Sequence, residues 1–310
     1  MDKNKLNDVD IELLKNITNI DDLKKGAYSI RKNGTGIEKS SSENVTIVQK
    51  KDKSGLDFYV KEDAKSEIMH IPVIITESGL KDVVYNDFHI GKNAKVTIIA
   101  GCGIHTDHHE DSQHDGIHRF FLDENSSVKY IEKHYGDGNG EGKRILNPIT
   151  EVFLKDGSFM EIESYQIKGV DSTIRETRGK LDANTNLTVT EKIMTNGNQF
   201  AETIFDVKLD GENSSTHVTS RSVATENSRQ KFESKIYGNS KCFAHSECDA
   251  IIKDNAQVIA IPEITANNVE SNMIHEAAIG KIAGEQLIKL MTLGLNEEEA
   301  ENAIINGFLK

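Results

Sequence analysis

A β-solenoid core with a helical segment at each end is the fold class this sequence predicts, and three observations predict it. Between about residues 45 and 270 the chain is a series of short β-branched stretches alternating apolar and polar residues, among them "VTIVQK", "KVTIIA", "VKYIEKHY", "FMEIESYQI", "LTVTEKI", "TIFDVKL" and "QVIAIPEI". Turn chemistry separates them in a recurring form, a polar Asn/Asp/Gly pair, a small residue and then a strand, as in "GKNAKVTI", "DENSSVKYI" and "KDNAQVIA". The period is roughly 30 residues or a little under, inside the window for coil repeats. About 200 residues pass without a helical pattern, whereas both ends of the chain carry one. A β-sandwich fits the strand count nearly as well. The absence of helices between strands, with helical ends to cover open sheet edges, favours a solenoid whose coils stack about 4.8 Å apart.

Taken in order, residues 1–44 read as a helical segment and linker. Val9, Ile11, Leu13, Leu14, Ile17, Ile20 and Leu23 recur at mostly helical spacing to about residue 30, then Gly26 and Asn33-Gly34 break the pattern and "GTGIEKSSSENV" forms a polar connector. Residues 45–272 read as the solenoid core. Residues 273–310 read as a C-terminal helical segment, with Ile279, Ile282, Ala283, Leu287, Leu290 and Met291 on one helix face. Gly294 ends that helix, and Asn296 with Glu299 three residues on starts a second by reciprocal capping.

The 310 residues are 28% charged and 36% hydrophobic, enough apolar surface for a folded core. A net charge of −13 without a dense Lys/Arg run argues against nucleic acid and acidic membrane surfaces as partners. The N-terminus has no apolar signal region, and the longest apolar runs, such as "VTIIAGCGI", fall short of a membrane span, so a cytoplasmic protein is expected. Three cysteines, Cys102, Cys242 and Cys248, then read as reduced thiols.

Several segments look chemical and fail on spacing. "GDGNGEGKR" (136–144) lacks the Gly-Lys-Ser/Thr of a phosphate loop and the third glycine of a dinucleotide turn, so it reads as a mobile surface loop and the chain binds no nucleotide by a recognisable route. "HEAAI" has Ile279 where a zinc-protease helix needs its second histidine. "CGIHTDHHEDSQHDGIH" offers Cys102, His105, His108, His109, His114 and His118 without a recurring ligand spacing. A solvated polar loop and a metal or transfer site, with His105, His108, His109 and His114 delivering metal, both remain open. In "NSKCFAHSECDAII" Cys242 and Cys248 are six apart and share one face of a strand, with His245 and Glu247 on the other. Such thiolate, imidazole and carboxylate donors suit a labile iron–sulfur cluster with mixed ligation or ligands from two chains, because three cysteines cannot supply four. A β-solenoid holding structural zinc or iron, without transfer, uses the same ligands.

"SRSVATENSRQKFESKIYGNSKC", "ECDAIIKDNAQVIAIPEI" and "HEAAIGKIAGEQLIKLMTLGLNEEEAENAIINGFLK" resemble the SufB/SufD family, the scaffold proteins of the SUF iron–sulfur cluster assembly system, in the compact form of minimal systems. The resemblance runs over roughly residues 80–310. It implies a right-handed parallel β-helix that homodimerises through the helix, and a scaffold with no enzymatic activity of its own. It also implies docking of a SufC-type ABC ATPase on the terminal helices around Leu287, Leu290, Met291 and Phe308. By position Cys248 matches the cluster-assembly cysteine and His275 with Glu276 the groups that act with it. Cys102 resembles the sulfur acceptor, and Cys242, His245 and Glu247 extend the ligand set. A transient [2Fe-2S] or [4Fe-4S] cluster, a sulfur donor and apo iron–sulfur recipient proteins complete the expectation. Cys248 and the His275-Glu276 pair are expected on adjacent coils, with a helix starting immediately after the pair.

Overall fold

The computed structural model describes residues 6–19 and 21–310; residues 1–5 and Ile20, one of the apolar positions of the expected N-terminal helix, lie outside the described residues. Helix α1 (Asp8–Ile17) starts where Asn7 and Asp10 exchange side-chain to backbone hydrogen bonds of 2.7 and 2.9 Å, and it buries Leu13, Leu14 and Ile17. It does not continue towards residue 30. After Gly26 the chain enters an antiparallel hairpin, Ala27–Lys32 with Thr35–Ser40, turning through Asn33 and Gly34, both at positive φ.

From Gly55 to Gly280 the chain winds into a β-solenoid of about 8 turns, two strands per turn, forming two parallel sheets that face each other. One sheet runs from Glu67–Ile75 to Asn272–Gly280, the other from Gly55–Val60 to Gln257–Ala266. Ser127 pairs with Phe159 and Phe159 with Asn186, steps of 32 and 27 residues that bracket the period read from the turns. Alternate residues point into the lumen. Phe58, Phe88 and Phe120 stack there on successive coils with centroids 4.7 and 4.6 Å apart, close to the rise between paired strands. One strand is split into Arg144–Leu146 and Ile149–Leu154 at Pro148, which has no N–H for the ladder.

The recurring turns have a single physical basis. Asn93, Asn125, Asn184 and Asn213 take the left-handed conformation at one corner of their coils, which asparagine tolerates. The small residue that follows is buried, and the hydroxyls of Ser126, Thr185 and Ser214 each donate 2.7 Å to the carbonyl three residues back.

The two ends of the solenoid differ. At the N-terminal end both sheets finish in antiparallel hairpins, the second pairing Val45–Gln49 with Gly55–Val60. At the C-terminal end Gln257–Ala266 and Asn272–Gly280 are unpaired edges. The solenoid runs on to Gly280, past the expected boundary at 272. Helix α2 (Gly284–Thr292) therefore starts later than expected: Ile279 lies in the last strand, and Ile282 and Ala283 in the link to the helix. Helix α3 (Glu297–Phe308) has the Asn296/Glu299 capping box and is tied back to the coils by Lys192 Nζ, which donates 2.6 Å to the Lys310 carbonyl.

Candidate functional site

The pleat sorts the candidate ligands onto two faces of the same strands. Ser220, Cys248 and Ala277 stack in one lumenal column, and Thr219, Glu247 and Glu276 in the neighbouring outward column. Cys248 is 1% exposed; Cys242, six residues away at the start of the same strand and so about 20 Å off, is also buried, its Sγ 3.6 Å from Ser271 Oγ. His275 pairs with Ser246 and so faces the lumen with Cys248, whereas Glu276 faces outward. The His275-Glu276 pair sits in mid-strand on the last coil, adjacent to Cys248 as expected but not at a helix start. On the outer side His245 Nε2 lies 3.5 Å from Glu276 Oε2.

Burial sets the chemistry of the lumenal groups. It pushes the Cys248 thiol up to about 12, with the Glu191 charge adding to the effect, and lowers His275 below the usual imidazole value. A narrow cavity bordered by Glu191, Thr203, Ser220 and Gln230 reaches Cys248. Cys248 thus rests as a protonated thiol under a single covering coil.

Cys102 occupies the same lumen five coils away, about 24 Å at the ~4.8 Å rise per coil. Burial, and then Glu132, raise its thiol well above the ordinary value. Between the two thiols the lumen is polar. Ala100, Glu132, Ser164, Glu191, Ser220 and Cys248 form one column. Arg175 crosses from the facing sheet, pairs with Glu132, contacts His134 Nδ1 at 3.0 Å and lies 3.5 Å from Glu191 Oε2. Glu191 also accepts from Thr203 at 2.7 Å and Ser220 at 2.9 Å. Burial opposes the Glu132 charge, but Arg175 and His134 hold its carboxyl well below the usual range. The hydroxyl of Ser164 and the amide of Gln166 are buried without a protein partner, the situation in which internal water is retained.

The histidine-rich stretch is not one solvated loop. His114 and His118 belong to the strand Ser112–Leu122 and are buried in the lumen, with His114 Nδ1 3.0 Å from Asp82 and His118 Nδ1 2.8 Å from the Tyr130 hydroxyl. His105 pairs with Asp107 and His109 with Glu141, both at 2.9 Å, while His108 is exposed. The four expected delivery ligands do not converge. The glycine loop at 136–144 is pinned rather than free: Gly140 and Gly142 donate to Thr106 and His108 carbonyls at 3.0 and 2.9 Å, and a Cβ on Gly140 would meet the His108 backbone at 2.4 Å. Its glycines mark a close approach of that loop to the backbone at Thr106–Glu110, and His114 and His118 fall on the inward positions of a strand's period of two. Sequence reasoning also missed Asp57, Asp87 and His89, the one group of three such residues among those described with ligand atoms within 4.8 Å of one another. Lys50 bonds both carboxylates and Arg119 pairs with Asp87, so their charge is already compensated.

On helix α2, Leu287 and Leu290 are half-buried while Ile288 and Met291 are exposed, and Leu293 follows at 76% exposure; Phe308 at the end of α3 is half-buried. No helix among the described residues is long and apolar enough to cross a membrane.

Residues 73–308 match the family model described as "SUF system FeS cluster assembly, SufBD core domain". The chain is similar to an iron-sulfur cluster assembly SufBD family protein of Methanocaldococcus jannaschii, 28% identical over 246 residues that cover 78% of this chain and 76% of the relative. It is also similar to one of Pyrococcus horikoshii, 29% identical over 76% of this chain and 71% of the relative, and to one of Galdieria sulphuraria, 31% identical over 60% and 88%. The family match covers most of the chain and all three cysteines, and the chain belongs to the SufBD family of iron–sulfur cluster assembly proteins.

Proposed function

We propose that the chain is a scaffold subunit on which an iron–sulfur cluster is built and from which it is transferred, working with an ABC-type ATPase that docks on α2 and α3. The observation that carries this reading is the placement of His275 on the open edge strand and Cys248 one strand inside it, both on the lumenal face, with Cys102 in the same lumen. The polar column of Glu132, Ser164, Glu191 and Ser220 between the two coils supports Cys102 as the sulfur acceptor that supplies Cys248. The open edge supports homodimerisation there, because two long unpaired strands without capping hairpins invite a second copy. The exposed Ile288, Met291 and Leu293 on and after α2, with Leu287, Leu290 and Phe308 behind them, support a partner on the terminal helices. The cargo is a [2Fe-2S] or [4Fe-4S] cluster held transiently, and the cytoplasm is the compartment that suits three reduced thiols.

The test is purification from an anoxic host, reading iron, sulfide and the associated ATPase together. An oxygen-labile cluster that passes to an apo-ferredoxin and is lost in Cys248→Ser is expected. Tightly held colourless zinc with no transferable sulfide would instead support a structural metal role. Removal of residues 281–310 is expected to abolish ATPase association.

A further inference from the structure

At the N-terminal end the two hairpins and the first coil enclose a cavity of about 220 Å³ at the mouth of the lumen. Its apolar wall is Leu56, Phe58, Ile71, Val73 and Val84, inward residues of the first strands of both sheets. An apolar cavity of about 150 Å³ takes a benzene ring, so this one has room for a ring and a polar head. Three polar residues on it have bonding capacity left over. Ser29 is 9% exposed, and its hydroxyl has no partner among the described residues, where a buried polar group is ordinarily bonded. Arg31 gives Nε and Nη2 to Asp82 at 2.8 and 2.6 Å, and Nη2 also to Ser54 at 2.9 Å; its Nη1 has no partner among the described residues. Lys39 is exposed and makes no ion pair among the described residues. Glu38, the one carboxylate among the residues that line the cavity, is already bonded by Lys24 and Tyr28. The uncompensated charge on the cavity is therefore positive.

We infer that this cavity binds a small organic carboxylate: the apolar wall takes a ring or branched chain of about six to eight carbons, and Arg31, Ser29 and Lys39 take the carboxylate. The site stands without the cluster reading. Ser29, Arg31 and Lys39 come from the first hairpin, and Leu56 and Phe58 from the second, so an occupant ties the two caps of the solenoid together. Val73 of the wall is the register partner of Cys102, which places the occupant in the lumen one strand from that thiol.

The test is calorimetric titration of the full-length protein with benzoate, and with benzamidine as a similar ring of opposite charge. One benzoate per chain is expected, held at least about tenfold more tightly than benzamidine, with a rise in Tm at saturation. Ser29→Ala is expected to weaken benzoate by about threefold to tenfold. Lys39→Gln, at an exposed position, is expected to weaken it by about twofold to fivefold. Val84→Phe fills the cavity with an apolar ring and is expected to abolish binding, with circular dichroism checking the fold of every variant. Leu56→Phe, on the same wall, takes its place if Val84→Phe does not fold. Absence of saturable benzoate binding up to about 10 mM overturns the inference. So does benzamidine bound as tightly as benzoate, or benzoate affinity unchanged in both Ser29→Ala and the cavity-filling variant.

Discussion

The resting chemistry of Cys248 gives a quantitative test of the lumenal site. Burial and the Glu191 charge raise its thiol from 9.0 to about 12. At pH 7 the thiolate fraction is then about 10⁻⁵ instead of about 10⁻², and since only the thiolate attacks an alkylating agent, reaction slows by a factor of about 1000 before occlusion is counted. Anoxic treatment with iodoacetamide over a pH series, followed by peptide mass spectrometry, measures the rate at each cysteine. The Cys248 rate is expected to rise about tenfold per pH unit beyond pH 9, where an ordinary thiol levels off. Glu191→Gln is expected to raise the rate at fixed pH, because it removes a charge that disfavours the thiolate. Alkylation of Cys248 at pH 7 within about tenfold of a free cysteine would refute the reasoning.

Other perturbations follow from the same packing. Burial lowers His118 from 6.5 to about 4, so the fold favours its neutral form. The stability this contributes is present above pH 6.5 and lost as pH falls towards 4, about 3 kcal/mol in all, and a urea midpoint independent of pH across that window would contradict it. Arg175→Ala leaves Glu132 and Glu191 buried without their cation and is expected to cost about 3–5 kcal/mol in urea unfolding; a loss under about 1 kcal/mol would show the pair to be hydrated. A Cβ on Gly101 would stand 2.6 Å from Ile17 Cβ, so Gly101→Ala is expected to cost about 1–3 kcal/mol and expose α1 to proteolysis, with an unchanged Tm as the opposing result.

Much of the solenoid was legible because its determinants are local. Most corners carry their own Asn, Asp or Gly followed by a small residue, and each strand its own alternation, so the period of roughly 30 survives in the sequence. The common face of Cys242 and Cys248, opposite His245 and Glu247, follows from the same period of two. The last coil was not legible. Ile279, Ile282 and Ala283 sit three and four residues apart and extend the pattern of α2 backward, while the ladder that makes Asn272–Gly280 a strand is supplied by Cys242–Ile252, 29 residues earlier along the register. Local pattern could not weigh that distant pairing. The same limit hid the joining of Cys102 to Cys248 through Arg175, which belongs to neither thiol's strand nor sheet.

The position of Cys248 relative to the edge constrains how a dimer could build a cluster. If a second copy pairs with Asn272–Gly280, each Cys248 strand is one step inside its own edge, so the two thiols are separated by three strand spacings, about 14 Å. That is far beyond the ~2.3 Å reach of thiolate to metal, and no single cluster bridges it. His275, on the edge strand and facing the lumen, lies one strand nearer to such a contact than Cys248 does. In such a dimer the His275 imidazole therefore lies on the strand at the contact while the protonated thiol stays one strand behind it. Bringing Cys248 to the contact requires the last strand to slide or peel, and that strand leads through Lys281–Ala283 directly into α2, the helix with exposed apolar side chains. A force applied to α2 acts on the one ladder that seals the thiol. Cross-linking that strand to its neighbour, by cysteines introduced at the paired positions Ala250 and Ile279, is accordingly expected to leave dimerisation intact and to stop cluster formation; clusters formed at an undiminished rate in the cross-linked protein would show that the thiol never has to move.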